Sequence, residues 1–167
     1  FDDIVPINNP YVENKHKEYF TRVPNSFIQV DIKKKYHLHR IFYLIYILID
    51  KHRSYEDQSY IVISEIFNLC NYKQTKPKIF FEIIKCLLFL HESNMINITS
   101  DFDIHSVGYN ECIQMDIIPE NFDATDKFSK ITSSQLDFIM MSESSINKEN
   151  ILMVFLYINS YIFIRPK

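Results

Sequence analysis

Glycine is nearly missing from this chain: Gly108 is the single one in 167 residues. A phosphate-cradling glycine loop, a dinucleotide fold and a hairpin-rich barrel all need several positions with positive φ, so none of them fits. Cysteine is sparse as well. Cys70, Cys86 and Cys112 are odd in number, widely spaced and set in apolar stretches. That pattern predicts buried free thiols in a reducing cytoplasm rather than a disulfide framework. Phe1–Pro10 carries acids and a proline instead of the basic start and apolar run of a secretory segment. Long apolar runs are also lacking. Ile41–Ile49 and Ile151–Ile164 are very apolar, but both fall short of the roughly 18–20 residues a membrane-spanning helix needs. They read as helices packed on several sides of a soluble, cytoplasmic protein with no membrane partner.

The usual marks of catalysis are missing too. No Cys-x-x-Cys or His-Glu-x-x-His spacing occurs among the six histidines and three cysteines. His37 and His39 are two apart at a helix start and point to different faces. Asp101, Asp103 and His105 alternate, so on a strand they would share one side, where a solvated hairpin tip is the expected reading. No Gly-x-Ser-x-Gly or Walker pattern is present, and no carboxylate pair stands out from scattered surface acids. The expectation is a non-enzyme without metal or cofactor.

What is there is apolar and aromatic. Hydrophobic residues make up 47% and aromatic residues 15% of the chain, enough to exclude disorder for most of it. The net charge of −3 hides a polarised distribution. Residues 33–85 carry ten Lys and Arg against five Asp and Glu, whereas residues 92–150 carry three against eleven. A basic side of this kind permits nucleic-acid contact without a high isoelectric point.

Residues 1–18 have no periodicity and read as an extended arm. Tyr19–Val23 predicts a strand turned by Pro24-Asn25, and Phe27–Val30 a second extended piece. Lys33-Lys34-Lys35 opens a helix through about Arg53, apolar on every face and hence central. The most informative stretch is 60–118. The run Tyr60–Ile63 stops at Ser64, an N-cap for a brief helix Glu65–Cys70. A polar turn over 71–76 follows, then Pro77 in the first turn of a longer helix, Lys78–Ser93. On it Ile79, Phe80, Ile83, Ile84, Leu87, Leu88 and Leu90 recur at steps of three and four. Met95–Thr99 and Cys112–Ile118 form a hairpin. Pro119–Asp126 is an acidic connector, Phe128–Ile131 a strand, and Thr132 or Ser133 the cap of a short helix. After a loop over Ser142–Lys148, Asn147 caps a last apolar helix, Glu149–Phe163. Its stripe of Ile151, Leu152, Phe155, Leu156, Ile158 and Ile162 must pack on the domain or on another subunit. No internal repeat is visible.

Two helices joined by a short turn and closed by a hairpin are the parts of a winged helix-turn-helix. The expected fold is mainly α (α+β), with an arm over 1–18 and a winged-helix domain over 19–118. A C-terminal strand and helical extension over 119–167 packs on it, in a chain that is a fragment of a longer protein. Asn71, Lys73, Gln74, Thr75, Lys76 and Lys78 at the mouth of the second helix are residue types that contact phosphates and base edges. Lys33, Lys34, Lys35 and Arg40 would hold backbone phosphates. The wing, Ser100–Glu111, departs from this pattern with three acids and no Lys or Arg. It is either turned away from a duplex or part of a protein-binding surface.

The run Tyr19-Phe20-Thr21-Arg22-Val23-Pro24 carries a family resemblance. So do Tyr72–Lys78 and the following Ile83-Ile84, Leu87, Leu90 and Met95-Ile96. Together they resemble the N-terminal domain of replication initiators from plasmids, phages and conjugative elements of low-GC Gram-positive bacteria. Those domains share a winged-helix core with DnaD-like replisome organisers. The resemblance implies a module that starts DNA replication by binding double-stranded DNA, with replication proteins and a second copy of the chain as further partners. The competing expectation is a winged-helix module for protein–protein oligomerisation in replication or transcription.

Overall fold

Strand alternation sets the first element. In β1 (Phe20–Pro24) Thr21 and Val23 face inward while Arg22 faces out. The computed structural model describes residues 19–72, 76–123, 127–143 and 145–162. The arm 1–18, the turn residues Lys73, Gln74 and Thr75, residues 124–126 of the connector, Ser144 and the chain end 163–167 lie outside the described residues. After β1 come α1 (Asn25–Ile28), α2 (Ile32–Tyr36), α3 (Phe42–Lys51), β2 (Gln58–Val62), α4 (Ile63–Leu69) and α5 (Pro77–Glu92). The chain continues through β3 (Ile96–Ile98), β4 (Cys112–Ile117), α6 (Pro119–Phe122), β5 (Phe128–Thr132), α7 (Ser133–Met140) and α8 (Lys148–Ile162). The fold is α+β. Two antiparallel sheets form among the described residues, one of β1 and β5 and one in the order β2-β4-β3.

The core is built around α3. Every side chain from Phe42 to Ile49 is at most 2% exposed, and the helix packs against β1, β2, α5 and α8. Each such burial is worth about 1.5–3 kcal/mol, against about 0–1 kcal/mol for a surface ion pair. α3 therefore decides where its neighbours go. Its polar groups are accommodated individually. Tyr46 donates to the Phe122 carbonyl (2.9 Å) and stacks on that ring, Tyr43 donates to the Phe27 carbonyl, and Ser59 donates to the Ile49 carbonyl.

Several local expectations are corrected. The helix expected from Lys33 to about Arg53 is two helices. Asp31 caps α2 through Lys33 N–H and Lys34 N–H, and His37 ends it in the left-handed region at φ 59°. The break keeps three lysines in water while α3 is buried on all sides. Phe27–Val30 is not extended. β1 runs to Pro24, and the buried Asn25 starts α1, accepting from Ser129 Oγ and donating its backbone N–H to the Lys127 carbonyl. Ser64 caps nothing, because β2 passes directly into α4 at the buried Ile63 and the Ser64 N–H donates to the Tyr109 carbonyl. The connector contains α6. Cys112 is exposed, unlike the buried Cys70 and Cys86, because alternation along β4 turns Ile113, Met115 and Ile117 inward instead. The Asp101, Asp103 and His105 segment is no strand. A single 3₁₀ turn over Ile104–Ser106 is capped by Asp103, and among the described residues no cluster suited to a metal forms. The pairing of β1 with β5 joins the stretch over 119–167 to the one over 19–118 and corrects nothing. On the last helix Leu152 and Leu156 are buried, whereas Ile158 and Ile162 of the same stripe are half exposed, on the side left for another subunit. No helix among the described residues is long and apolar enough to cross a membrane.

Other readings hold. Pro77 opens α5, whose Ile83, Ile84, Leu87 and Leu90 are buried. Thr132 closes a full capping box with Gln135. With a single glycine in the chain, the left-handed positions among the described residues fall to His37, Asp57, Asn71 and Asn94.

The end of α3 is tied to the next two elements through His52. Its Nδ1–H donates to the Tyr60 carbonyl at 3.0 Å, its Nε2 lies 3.3 Å from Glu65, and its ring stacks on Tyr60. A neutral imidazole has one N–H, so both contacts are satisfied only when it is protonated. The Glu65 hydrogen bond leads in raising its pKa above the ordinary value, against the opposing effect of burial. The folded-state pKa is the higher one, so this contribution is complete below about pH 6.5. It is lost as pH rises through the folded value. Urea unfolding across this range is expected to show a downward slope that Glu65→Gln flattens; a parent profile no steeper than that of the variant contradicts the assignment.

Candidate nucleic-acid interface

The mouth of α5 is built from three directions. α4 ends at Leu69, and Asn71, two residues on, takes the left-handed conformation (φ 60°). Pro77 then starts α5 with no side-chain cap and no acid in its first turn. The N–H groups there have no intrahelical partner, and the helix dipole favours a negative ligand. Behind them the α2–α3 junction runs beside α5: His39 faces the cleft at the helix start, and Lys85 Nζ donates to the His37 carbonyl further along (3.0 Å). The third wall is the start of α8.

These walls enclose an open cleft of about 480 Å³ lined by His39, Asn71, Tyr72, Lys76, Asn147 and Glu149. Its floor is a carboxylate. Glu149 is 1% exposed and accepts from the Tyr72 hydroxyl at 2.6 Å through Oε2. Its Oε1 is buried with no hydrogen-bond partner among the described residues. Burial first, then the Glu149 bond, raises the Tyr72 pKa and keeps its proton in place. Burial and the same carboxylate push the Cys70 thiol up to about 12, which leaves it an inert thiol instead of a nucleophile. His39 accepts the Ile41 N–H at Nδ1 (3.0 Å), and burial lowers its pKa, so it stays neutral. The rim is cationic. Lys76 and Lys78 are exposed, with Lys76 Nζ 5.6 Å from the Tyr72 ring centre.

Of the residues singled out in the sequence, Asn71 and Lys76 share this cleft, and Lys78 is exposed one turn-step into α5. Lys73, Gln74 and Thr75 lie outside the described residues. Lys33, Lys34 and Lys35 are exposed on α2. Arg40 is half-buried and lines a different cavity, with Tyr43, Met153 and Tyr157. The acidic wing does not cover the α5 mouth cleft, none of whose lining residues belongs to it. It folds back on α4, with Val107 buried and the Tyr109 ring edge-on to Phe67 at 5.3 Å. Sequence reasoning missed Glu149, His39 and Tyr72. A glutamate in the first turn of an apolar helix looks like an ordinary dipole-matched start, and nothing in its neighbours announces burial. No family model, curated protein or solved structure matches the chain.

The carboxylate anchors the turn, and this is testable. Tyr72→Phe takes the hydroxyl donor from the buried Glu149 and is expected to cost about 1–3 kcal/mol in urea unfolding. Glu149→Gln keeps an acceptor for Tyr72 and removes a buried charge, so it is expected to cost less. The reverse order would contradict the anchoring role.

Proposed function

We propose that this chain is a non-catalytic DNA-binding module of the replication-initiation kind, acting on double-stranded DNA in the cytoplasm. The observation that carries the reading is the order α3-β2-α4-α5-β3-β4 with sheet order β2-β4-β3. That is the element order of a winged helix-turn-helix, in which the second helix of the pair enters the major groove. Here that helix is α5. Its inward face is committed to the core, and its start offers Lys76, Lys78, Asn71 and N–H groups with no intrahelical acceptor to phosphates and base edges. Lys33, Lys34 and Lys35 extend the basic surface. The role in replication rests on the likeness of the Tyr19–Pro24 and Tyr72–Ile96 patterns to initiators. The folded-back acidic wing suits a module whose contacts come from the helix alone.

A specific observation favours the second reading, a module for self-association or for docking replication proteins. Val154, Tyr157, Ile158, Tyr161 and Ile162 form an outward apolar stripe on α8, each about half exposed. The two readings part in one experiment: light scattering together with salt-titrated anisotropy on a mixed-sequence duplex. Lys76→Ala with Lys78→Ala is expected to weaken duplex binding and to lower the slope of log K against log salt by about two. Unchanged affinity and slope would overturn the duplex reading. A stable dimer with no duplex affinity at low salt would favour the alternative.

A further inference from the structure

The β1–β5 sheet carries a second cationic surface, independent of the α5 mouth. β1 reads Phe-Thr-Arg-Val-Pro and β5 reads Phe-Ser-Lys-Ile-Thr, and the two pair antiparallel about Arg22 opposite Lys130. The inward residues Thr21, Val23, Ser129 and Ile131 are at most 2% exposed, so Phe20, Arg22, Phe128 and Lys130 make up the outward face. Like charges directly opposite on neighbouring strands destabilise a sheet. Neither cation has a carboxylate within ion-pair distance among the described residues. Both rest on rings instead: the Arg22 guanidinium lies 5.0 Å from the Phe128 centroid and 5.7 Å from that of Phe20, and Lys130 Nζ lies 4.5 Å from Phe20.

Beside this face lies an open cleft of about 540 Å³, shared by Phe20 and Arg22 with Tyr19, Tyr55 and Phe122. Tyr55 is fully exposed. The carboxylates of the cleft are already engaged. Asp50 accepts from the Tyr19 and Thr21 hydroxyls, and Asp123 takes a two-pronged bond from Arg53 at 2.8 and 2.9 Å. Among the described residues, Arg22 and Lys130 are therefore cations of this face without a carboxylate partner, already positioned by the rings below them.

We propose that the outward face of β1 and β5, with the adjoining cleft, binds single-stranded nucleic acid. Arg22 lies between the Phe128 ring and one base, Lys130 takes a phosphate, and the next base enters the cleft against Tyr55. A polyanion removes the cross-strand repulsion, and the π-surfaces need bases whose faces are open, which a duplex hides within its own stack. The face is outside the α5 mouth, so the inference does not rest on the duplex reading.

The test is fluorescence anisotropy with labelled oligothymidylate and oligouridylate of about 12 nucleotides, beside a mixed-sequence duplex. Saturable binding of either single strand is expected. Arg22→Gln with Lys130→Gln should weaken it about tenfold or more and lower the salt slope by about 0.7, for the one phosphate contact that Lys130 makes. Duplex affinity should hold, and the unfolding midpoint should not fall, since a like-charge pair has been removed. Phe20→Leu with Phe128→Leu, which keeps apolar volume and removes the rings, should weaken single-strand binding about fivefold or more. Four results would overturn the proposal: no single-strand binding by the parent at low salt, unchanged binding by the Gln pair, equal losses of single-strand and duplex binding, or displacement by polyglutamate at matched charge.

Discussion

Eight consecutive side chains, Phe42 to Ile49, are withdrawn from water around the whole circumference of α3, and every neighbouring element is placed by the part of that circumference it covers. β1 covers one side, with Thr21 Oγ1 bonded to Asp50 at the helix end. β2 covers another, with Ser59 bonded to the Ile49 carbonyl. α6 supplies Phe122, which stacks on Tyr46 at 4.5 Å and accepts its hydroxyl. Arg53, just beyond the helix, joins the β2 turn to the end of α6 through Asp57 and Asp123. Those ion pairs are partly exposed and contribute direction more than stability. Apolar burial is the larger effect by an order of magnitude.

The surfaces proposed to bind nucleic acid follow from this arrangement. α5 spends one face on the core through Ile83, Leu87 and Leu90 and leaves Lys78 and Phe81 outside. Ahead of its start, Tyr72 is tied to α8 by its hydrogen bond to Glu149. The β1–β5 sheet exists because two segments far apart in sequence both cover the α3–α8 side of the core. Once they do, strand register alone brings Arg22 and Lys130 together.

Periodic patterns were readable wherever burial is one-sided. The three- and four-residue steps from Ile79 to Leu90 place α5 to within a residue at each end, and the hairpin strand expected over Cys112–Ile118 is β4. The central position of α3 was readable for the opposite reason: Tyr43, Leu44, Tyr46 and Ile47 leave it no polar face. What stayed hidden depends on tertiary partners. His37 takes a left-handed conformation that no local pattern requires. Ser64 looks like a cap but loses its place because Ile63 is already needed in the core. Cys112 sits in an apolar stretch yet faces out, since strand parity and not neighbourhood decides. At the candidate sites, the exposed lysines were legible as charge. The buried Glu149 and the Arg22–Lys130 pair were not, because the first depends on the packing of α8 beside Tyr72 and the second on strands paired across more than a hundred residues.

If α3 joins both sheets into one cooperative unit, native-state hydrogen exchange tests that most directly. The slowest amides of α3, of β4 and of β5 are expected to share one opening free energy, equal to that of global unfolding. Amides of β1 and β5 that open together at a distinctly lower free energy, while α3 and β4 stay protected, would show that the strand pair is a separate unit and contradict the account.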